Sequence, residues 1–122
     1  MTFKFENLEV WKLSLDYLDT VYKISEELPK EELYNLRNQW IRSATSIALN
    51  IAEGSTGQTD SEQVRFLGYA IRSLTESTAC LRIAQRRKYL SDNDGTMERQ
   101  TMMLIKKLQS FRKAIRMKSN TS

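Results

Sequence analysis

Residues 43–55 read SATSIALNIAEGS, and no charged side chain falls between Ser43 and Ala52, although 28% of the 122 residues are charged. Ala44, Ile47 and Ile51 recur at three-and-four spacing, the period of a helix with one buried line. Solvent-facing helix positions ordinarily carry Lys, Glu, Arg or Gln, so this run should be covered on most of its sides. Leu36 and Trp40 extend the line backward, and Gly54 stands where a left-handed C-cap would end it. The reading is a helix over 31–53, its start favoured by the acids Glu31 and Glu32 near the positive helix end.

Working outward, helical periodicity fills the rest of the chain, punctuated by one Pro and four Gly. Before Pro29, residues 7–28 carry two apolar stripes, Leu8, Trp11, Leu15, Leu18 and Tyr22 beside Val10, Tyr17, Val21, Ile24 and Leu28. Together they predict a helix with a broad buried face. Thr59 with Glu62 has the spacing of a capping box, so a third helix is expected over 60–89, buried along Val64, Leu67, Ile71, Leu74, Leu81 and Ala84. Ile83 lies ~200° round that helix from Leu81, off the core side. Gly68 lowers helix propensity and suits close packing. Ser91 with Asp94 resembles a weaker box, opening a fourth helix over 92–116 with Met97, Leu104, Leu108, Phe111 and Ile115 inward and Gly95 as a blemish in its first turn. The tail, 117–122, is expected to fray.

No alternating run or hairpin dipeptide reads as a strand. The fold class is therefore all-α. One domain of this length with four helices and short joins packs most simply as an antiparallel, up-and-down four-helix bundle. No run approaches the ~20 apolar residues of a membrane span, and MTFKFENLEVWK lacks the apolar region of a signal peptide, so a cytoplasmic chain is expected.

Composition narrows function. With no histidine and one cysteine, Cys80, neither a His/Cys metal site nor an internal disulfide can form. On the second helix Gln39, Ser43, Ser46 and Asn50 each precede a core residue, and Glu53 continues their spacing. They form a polar stripe ~100° from the core line. Ser43 or Ser46 as a nucleophile, with Glu53 as acid or base, needs an adjacent His or Lys, and no Lys lies between Lys30 and Lys88. A metal held by Glu53 with Glu76 or Asp60 would lack the Glu-x-x-His pairs such bundle sites use. An interhelical hydrogen-bonded seam is the better reading, and because Thr45, Ala48 and Ala52 leave this helix small or apolar nearly all round, a homo-oligomer whose interface uses it is expected. No enzyme activity and no cofactor is expected. Trp11, Trp40, Tyr17, Tyr22 and Phe66 lie on or beside apolar stripes and read as core or interface, and Cys80 as a small buried residue.

Charge divides the chain. Residues 1–60 hold six Lys/Arg against ten Asp/Glu, and residues 61–122 hold thirteen against five. Arg99, Lys106 and Lys113 repeat every seven residues away from the core line of the fourth helix, with Lys107, Arg112 and Arg116 beside them. Arg65, Arg72 and Arg86 share a phase on the third, near Arg82, Arg87 and Lys88. Only Tyr69 interleaves them as a stacking group, so this basic surface suits backbone-directed, salt-dependent contact with nucleic acid. A protein-only scaffold whose cations bind other subunits is the alternative.

FENLEVWKLS at 5–14, ELPKEELYNLRNQWIRSATSIALNIAEGS at 27–55 and FLGYAIRSLTES at 66–77 resemble the proteins encoded in intervening sequences of bacterial 23S ribosomal RNA genes. The resemblance implies an up-and-down four-helix bundle assembling as a homopentamer. It implies no catalytic residues. A related branch, the accessory protein of diversity-generating retroelements, binds nucleic acid and a reverse transcriptase, which makes both expected classes of partner. The family motif falls on Gln39, Arg42, Ser46, Asn50, Glu53 and Gly54, with a structural role in the seam. Trp40 and Ile41 stand where the family more often has an aliphatic residue and then Arg, and Ala48 where it often has Pro.

Overall fold

The computed structural model describes residues 1–57, 59–91 and 95–121. Four helices dominate: α1 Glu9–Ser25, α2 Leu36–Ser55, α3 Asp60–Arg86 and α4 Thr96–Thr121. No strand occurs among the described residues. Helix α1 packs on α2 and α4, and α3 on the same two, so the helices form a ring of four in chain order around one core. Among the described residues, no helix is long and apolar enough to cross a membrane.

The helix ends depart from the sequence reading for local reasons. Helix α1 is preceded by a 3-10 turn, Lys4–Asn7, and stops at Ser25 rather than 28. Residues 26–28 tighten into bonds reaching back three residues, because Pro29 disfavours a helical conformation in the residue before it. Helix α2 begins at Leu36, not 31, after a 3-10 turn at Lys30–Glu32. Glu32 does serve the helix start, but from outside: its carboxylate accepts from the Leu36 N–H at 3.3 Å and from Asn35 Nδ2 at 2.9 Å.

The Thr59 hydroxyl accepts from the Glu62 N–H at 3.0 Å and opens α3 at Asp60, as its spacing predicts. Helix α3 ends at Arg86 rather than 89 because Lys88 turns left-handed, φ 61°. The Tyr89 N–H then bonds Ala84 O and the Lys88 N–H bonds Gln85 O, the paired closure of a Schellman motif. The fourth helix starts at Thr96, not 92, and continues to Thr121 rather than stopping at 116. Gly95 precedes this helix at φ 82°, its carbonyl accepting the Arg99 N–H. Asp94 of the expected cap lies outside the described residues, and Ser91 is engaged elsewhere.

Most of the core lines of α2, α3 and α4 are buried, with Trp40, Ala44, Ile47, Leu67, Leu74, Leu81, Leu104 and Leu108 all at 2% exposure or less, while Val64, Ile71 and Phe111 are only half-buried and Ala70, Ser77 and Cys80 complete the buried side of α3. In α1 one of the two stripes wins. Val10, Tyr17, Val21 and Leu28 are buried, together with Ser14 and Ser25 at 0% exposure, while Leu15 and Tyr22 stand 36% and 47% exposed. The two serines fill core positions by donating to carbonyls of their own helix, Trp11 O and Tyr22 O. Their polarity conceals this line in the sequence.

Gly54 is not a C-cap. It lies inside the last turn of α2, where a Cβ would come within 2.8 Å of Phe66 Cβ, so it is the close approach of α2 to α3 that requires glycine. Gly68 meets the guanidinium of Arg112 in the same way, at 3.1 Å.

Candidate functional site

The charge-free run is covered mainly by the chain itself. Ser43, Ala44, Ile47, Ala48 and Ile51 are buried, and Thr45, Ser46, Asn50 and Ala52 are half-buried. Leu49 alone in this stretch is exposed, at 59%. The polar stripe beside it borders a groove between α2 and α3. Asn38, Gln39, Arg42, Ser43 and Ser46 from α2 face Ser73 and Glu76 from α3 around a hollow of about 390 Å³. It continues past Ser46, Ser73 and Glu76 into a second hollow of about 610 Å³ bordered by Asn50, Tyr69, Arg72 and Ala79.

One hydrogen bond stitches the groove. Ser73 Oγ donates to Ser46 Oγ at 2.9 Å, and Asn50 Nδ2 donates to Ser46 Oγ and Ser46 O at 3.0 and 2.8 Å. Ser46 thus joins the helices as a seam residue should, whereas Asn50 bonds within its own helix. Ser43 is spent on the Trp40 carbonyl at 2.9 Å. Gln39, Arg42 and Glu53 are exposed. Cys80, on α3, is buried, and burial, aided by the charge of Glu76, pushes its pKa up. A thiol so held stays protonated and a poor nucleophile.

Beneath the groove lies a polar pair that the sequence reading did not single out. Tyr17 OH and Ser77 Oγ, both fully buried, are 2.6 Å apart. Burial raises the Tyr17 pKa, opposed by the neighbouring hydroxyls of Ser77 and Thr101. Ser77 falls on the apolar line of α3, three residues after Leu74, and a lone serine there is the one signal it left in the sequence.

The structure sorts the twelve candidate cations. Arg82 makes a two-pronged bond to Glu98, at 2.5 and 3.0 Å. Lys107 pairs with Glu9 at 3.2 Å. Arg112 folds over Gly68 and donates to Val64 O at 3.2 Å. Arg87 lies over the Tyr89 ring, 5.8 Å from its centroid. These four serve contacts within the bundle. Arg65, Arg72, Arg86, Lys88, Lys106, Lys113 and Arg116 are exposed. Arg99 is exposed as well, with Nη2 donating to Thr96 Oγ1 at 3.3 Å. On α3, Arg65 rests on the Phe66 ring, which meets Tyr69 edge-on at 5.5 Å, so this end of the basic row carries an aromatic pair.

Four helices in a ring, a polar groove between α2 and α3 and exposed cations on α3 and α4 define an all-α bundle. The match to known families makes this specific: the family model described as 23S rRNA-intervening sequence protein covers residues 6–113. The chain belongs to that family. Among solved structures it is similar to a protein of unknown function from the S23 ribosomal protein family of Bacteroides thetaiotaomicron. The two share 24% identity over 85% of this chain and 95% of that one, with a TM-score of 0.76. At that identity the likeness concerns the fold. None of the curated proteins matches this chain.

Proposed function

We propose that the protein is a non-enzymatic, self-assembling bundle whose basic surface contacts the phosphate backbone of RNA or DNA, or a protein bound to it. The observation that carries this reading is the row Arg65, Arg72 and Arg86 on α3, extended by Lys88 and by Arg116 of α4. All are exposed, and none is drawn into an ion pair among the described residues. Glu76, one turn after Arg72, is exposed and borders the groove together with it. Neutralising phosphates with such residues releases counterions, so affinity should fall steeply with salt.

Contacts far from the connections as well as beside them support the antiparallel, up-and-down order: Arg112, late in α4, reaches Val64 and Gly68 near the start of α3. Gly54 at the end of α2 meets Phe66 near the start of α3. Late in α3, Arg82 binds Glu98 in the first turn of α4. The family resemblance supports assembly as a homopentamer.

Titrating a fluorescently labelled RNA or DNA duplex at rising salt tests the proposal. Binding is expected at low salt, weakening with a log–log slope of ~0.9 per phosphate contacted. Arg72→Ala and Arg86→Ala should each lower the slope by ~1 without altering sequence preference. Absence of binding at low salt, or binding indifferent to salt, would overturn it. Exposed Met102 and Met103 on the basic face of α4 favour a second reading, a scaffold that binds only protein. Neutralising Arg99, Lys106 and Lys113 separates the two: loss of assembly in a chain that binds no nucleic acid at low salt favours the scaffold, and loss of nucleic-acid binding with assembly intact favours the first reading.

A further inference from the structure

Where the outer face of α3 carries Tyr69 and Ile83 among its cations, that of α4 carries flexible thioethers. Between its cations stand two methionines, Met102 at 60% and Met103 at 51% exposure. With Arg99 and Lys106 they border a hollow of about 590 Å³. A phosphate backbone has no use for a thioether in the middle of its contact, whereas a helix with apolar and acidic side chains does.

The chain carries such a helix. Of the other α1 stripe, Leu8, Trp11 and Leu18 pack against the core while Leu15 and Tyr22 reach solvent, and Asp16, Asp19 and Glu26 lie exposed beside them. Leu15, Asp19, Tyr22 and Glu26 follow one helical stripe at i, i+4, i+7 and i+11. From Glu9 to Glu27 there are five acids against Lys12 and Lys23, while α4 has seven Lys/Arg against Glu98. Glu9 and Lys107 already show an α1 acid meeting an α4 base inside one bundle.

We infer that the outer stripe of α1 in one copy docks on the outer face of α4 in the next, Leu15 and Tyr22 against Met102 and Met103, Asp16 and Asp19 against Lys106 and Lys113. The two surfaces are different, so the contact is head-to-tail, and repetition closes a ring or runs on as a filament. Opposite charge steers the encounter and fixes the register, and the apolar pairs exclude water at its centre. This interface rests on the self-assembly part of the proposed function and names the surfaces that would form it. It also divides the basic half, leaving the α3 row for nucleic acid.

Sedimentation velocity at micromolar concentration tests it on four chains: wild type, Asp16→Lys with Asp19→Lys, Lys106→Glu with Lys113→Glu, and all four changes together. The wild type is expected to be an oligomer and each reversed pair a monomer. The fourfold chain, in which the signs are exchanged, is expected to reassemble. Far-ultraviolet circular dichroism checks folding, and if a reversed pair loses helix, Met102→Gln with Met103→Gln is read in its place, with at least a tenfold weaker assembly expected. A monomeric wild type overturns self-assembly and this interface together. An oligomeric wild type unmoved by both reversed pairs, or a folded fourfold chain that stays monomeric, overturns this interface alone.

Discussion

Gly54 shows how a single atom constrains the bundle. A Cβ there would lie 2.8 Å from Phe66 Cβ, and that atom is fixed to the α3 backbone rather than to the end of a flexible side chain. Forced overpacking costs ~1–3 kcal/mol, while alanine's helix propensity returns ~1 kcal/mol. Gly54→Ala should therefore melt below the wild type, and an equal or higher melting temperature would show that α2 and α3 separate freely. Tyr17 and Ser77 form a buried hydroxyl pair at 2.6 Å. Tyr17→Phe leaves Ser77 to bond its own helix and should cost about 1 kcal/mol in urea unfolding; no shift of the midpoint would mean that the pair contributes nothing net. Lys88 holds a left-handed conformation at φ 61°, which a side chain adopts at ~1–2 kcal/mol. Lys88→Gly removes that strain but frees the unfolded chain, for an expected net gain of ~0.5–1 kcal/mol in the same assay.

Among the elements, the two connections at one end of the bundle are clamped by carboxylates. Glu27 accepts from the N–H and hydroxyl of Ser91, both at 2.7 Å, and Glu32 accepts from Tyr89 OH at 2.9 Å. The Ser91 backbone bond holds the Glu27 pKa below the ordinary carboxylate range, and the Tyr89 bond does so for Glu32. Bonding to the Arg82 guanidinium lowers Glu98 likewise. Each group then binds a proton more readily in the unfolded chain than in the folded one. Their stabilisation is complete above the ordinary carboxylate pKa and disappears as pH falls through it toward the depressed folded values. Melting temperature should therefore drop between pH 5 and about pH 3, and Glu27→Gln should flatten part of that fall. A melting temperature constant over this range would disprove the clamp. The helix starts show what the sequence can reveal at this scale: Thr59 and Glu62 are neighbours in the chain, and their spacing sets the cap of α3. The start of α2 escaped because Glu32 caps Leu36 from an intervening 3-10 turn, a geometry that charge placement alone does not specify.

At the scale of the molecule, four helices in a ring leave each an outer side, and the function proposed is written on those sides. In that proposal the α3 row meets phosphate and the α4 face pairs with the outer α1 stripe, while the groove between α2 and α3 is bridged at Ser46 and Ser73. Raising salt is expected to release nucleic acid progressively while the apolar centre of the subunit contact persists longer, because screening acts on exposed charges and not on buried methionines. Measuring both in one salt series tells the two surfaces apart, and simultaneous loss at one salt concentration would argue for a single shared face.

Periodicity and the Thr59 cap in the sequence determined that this chain makes four helices, and most of the buried lines of α2, α3 and α4. These are properties of each helix about its own axis, or of residues three and four apart, so local spacing carries them. The tertiary structure decided which α1 stripe turns inward, which cations are consumed by Glu9, Glu98, Tyr89 and Val64, and why Gly54 is a glycine. Those outcomes depend on what stands opposite each residue from a distant part of the chain. Periodicity is silent on that, because a helix has the same pattern whichever neighbour covers it.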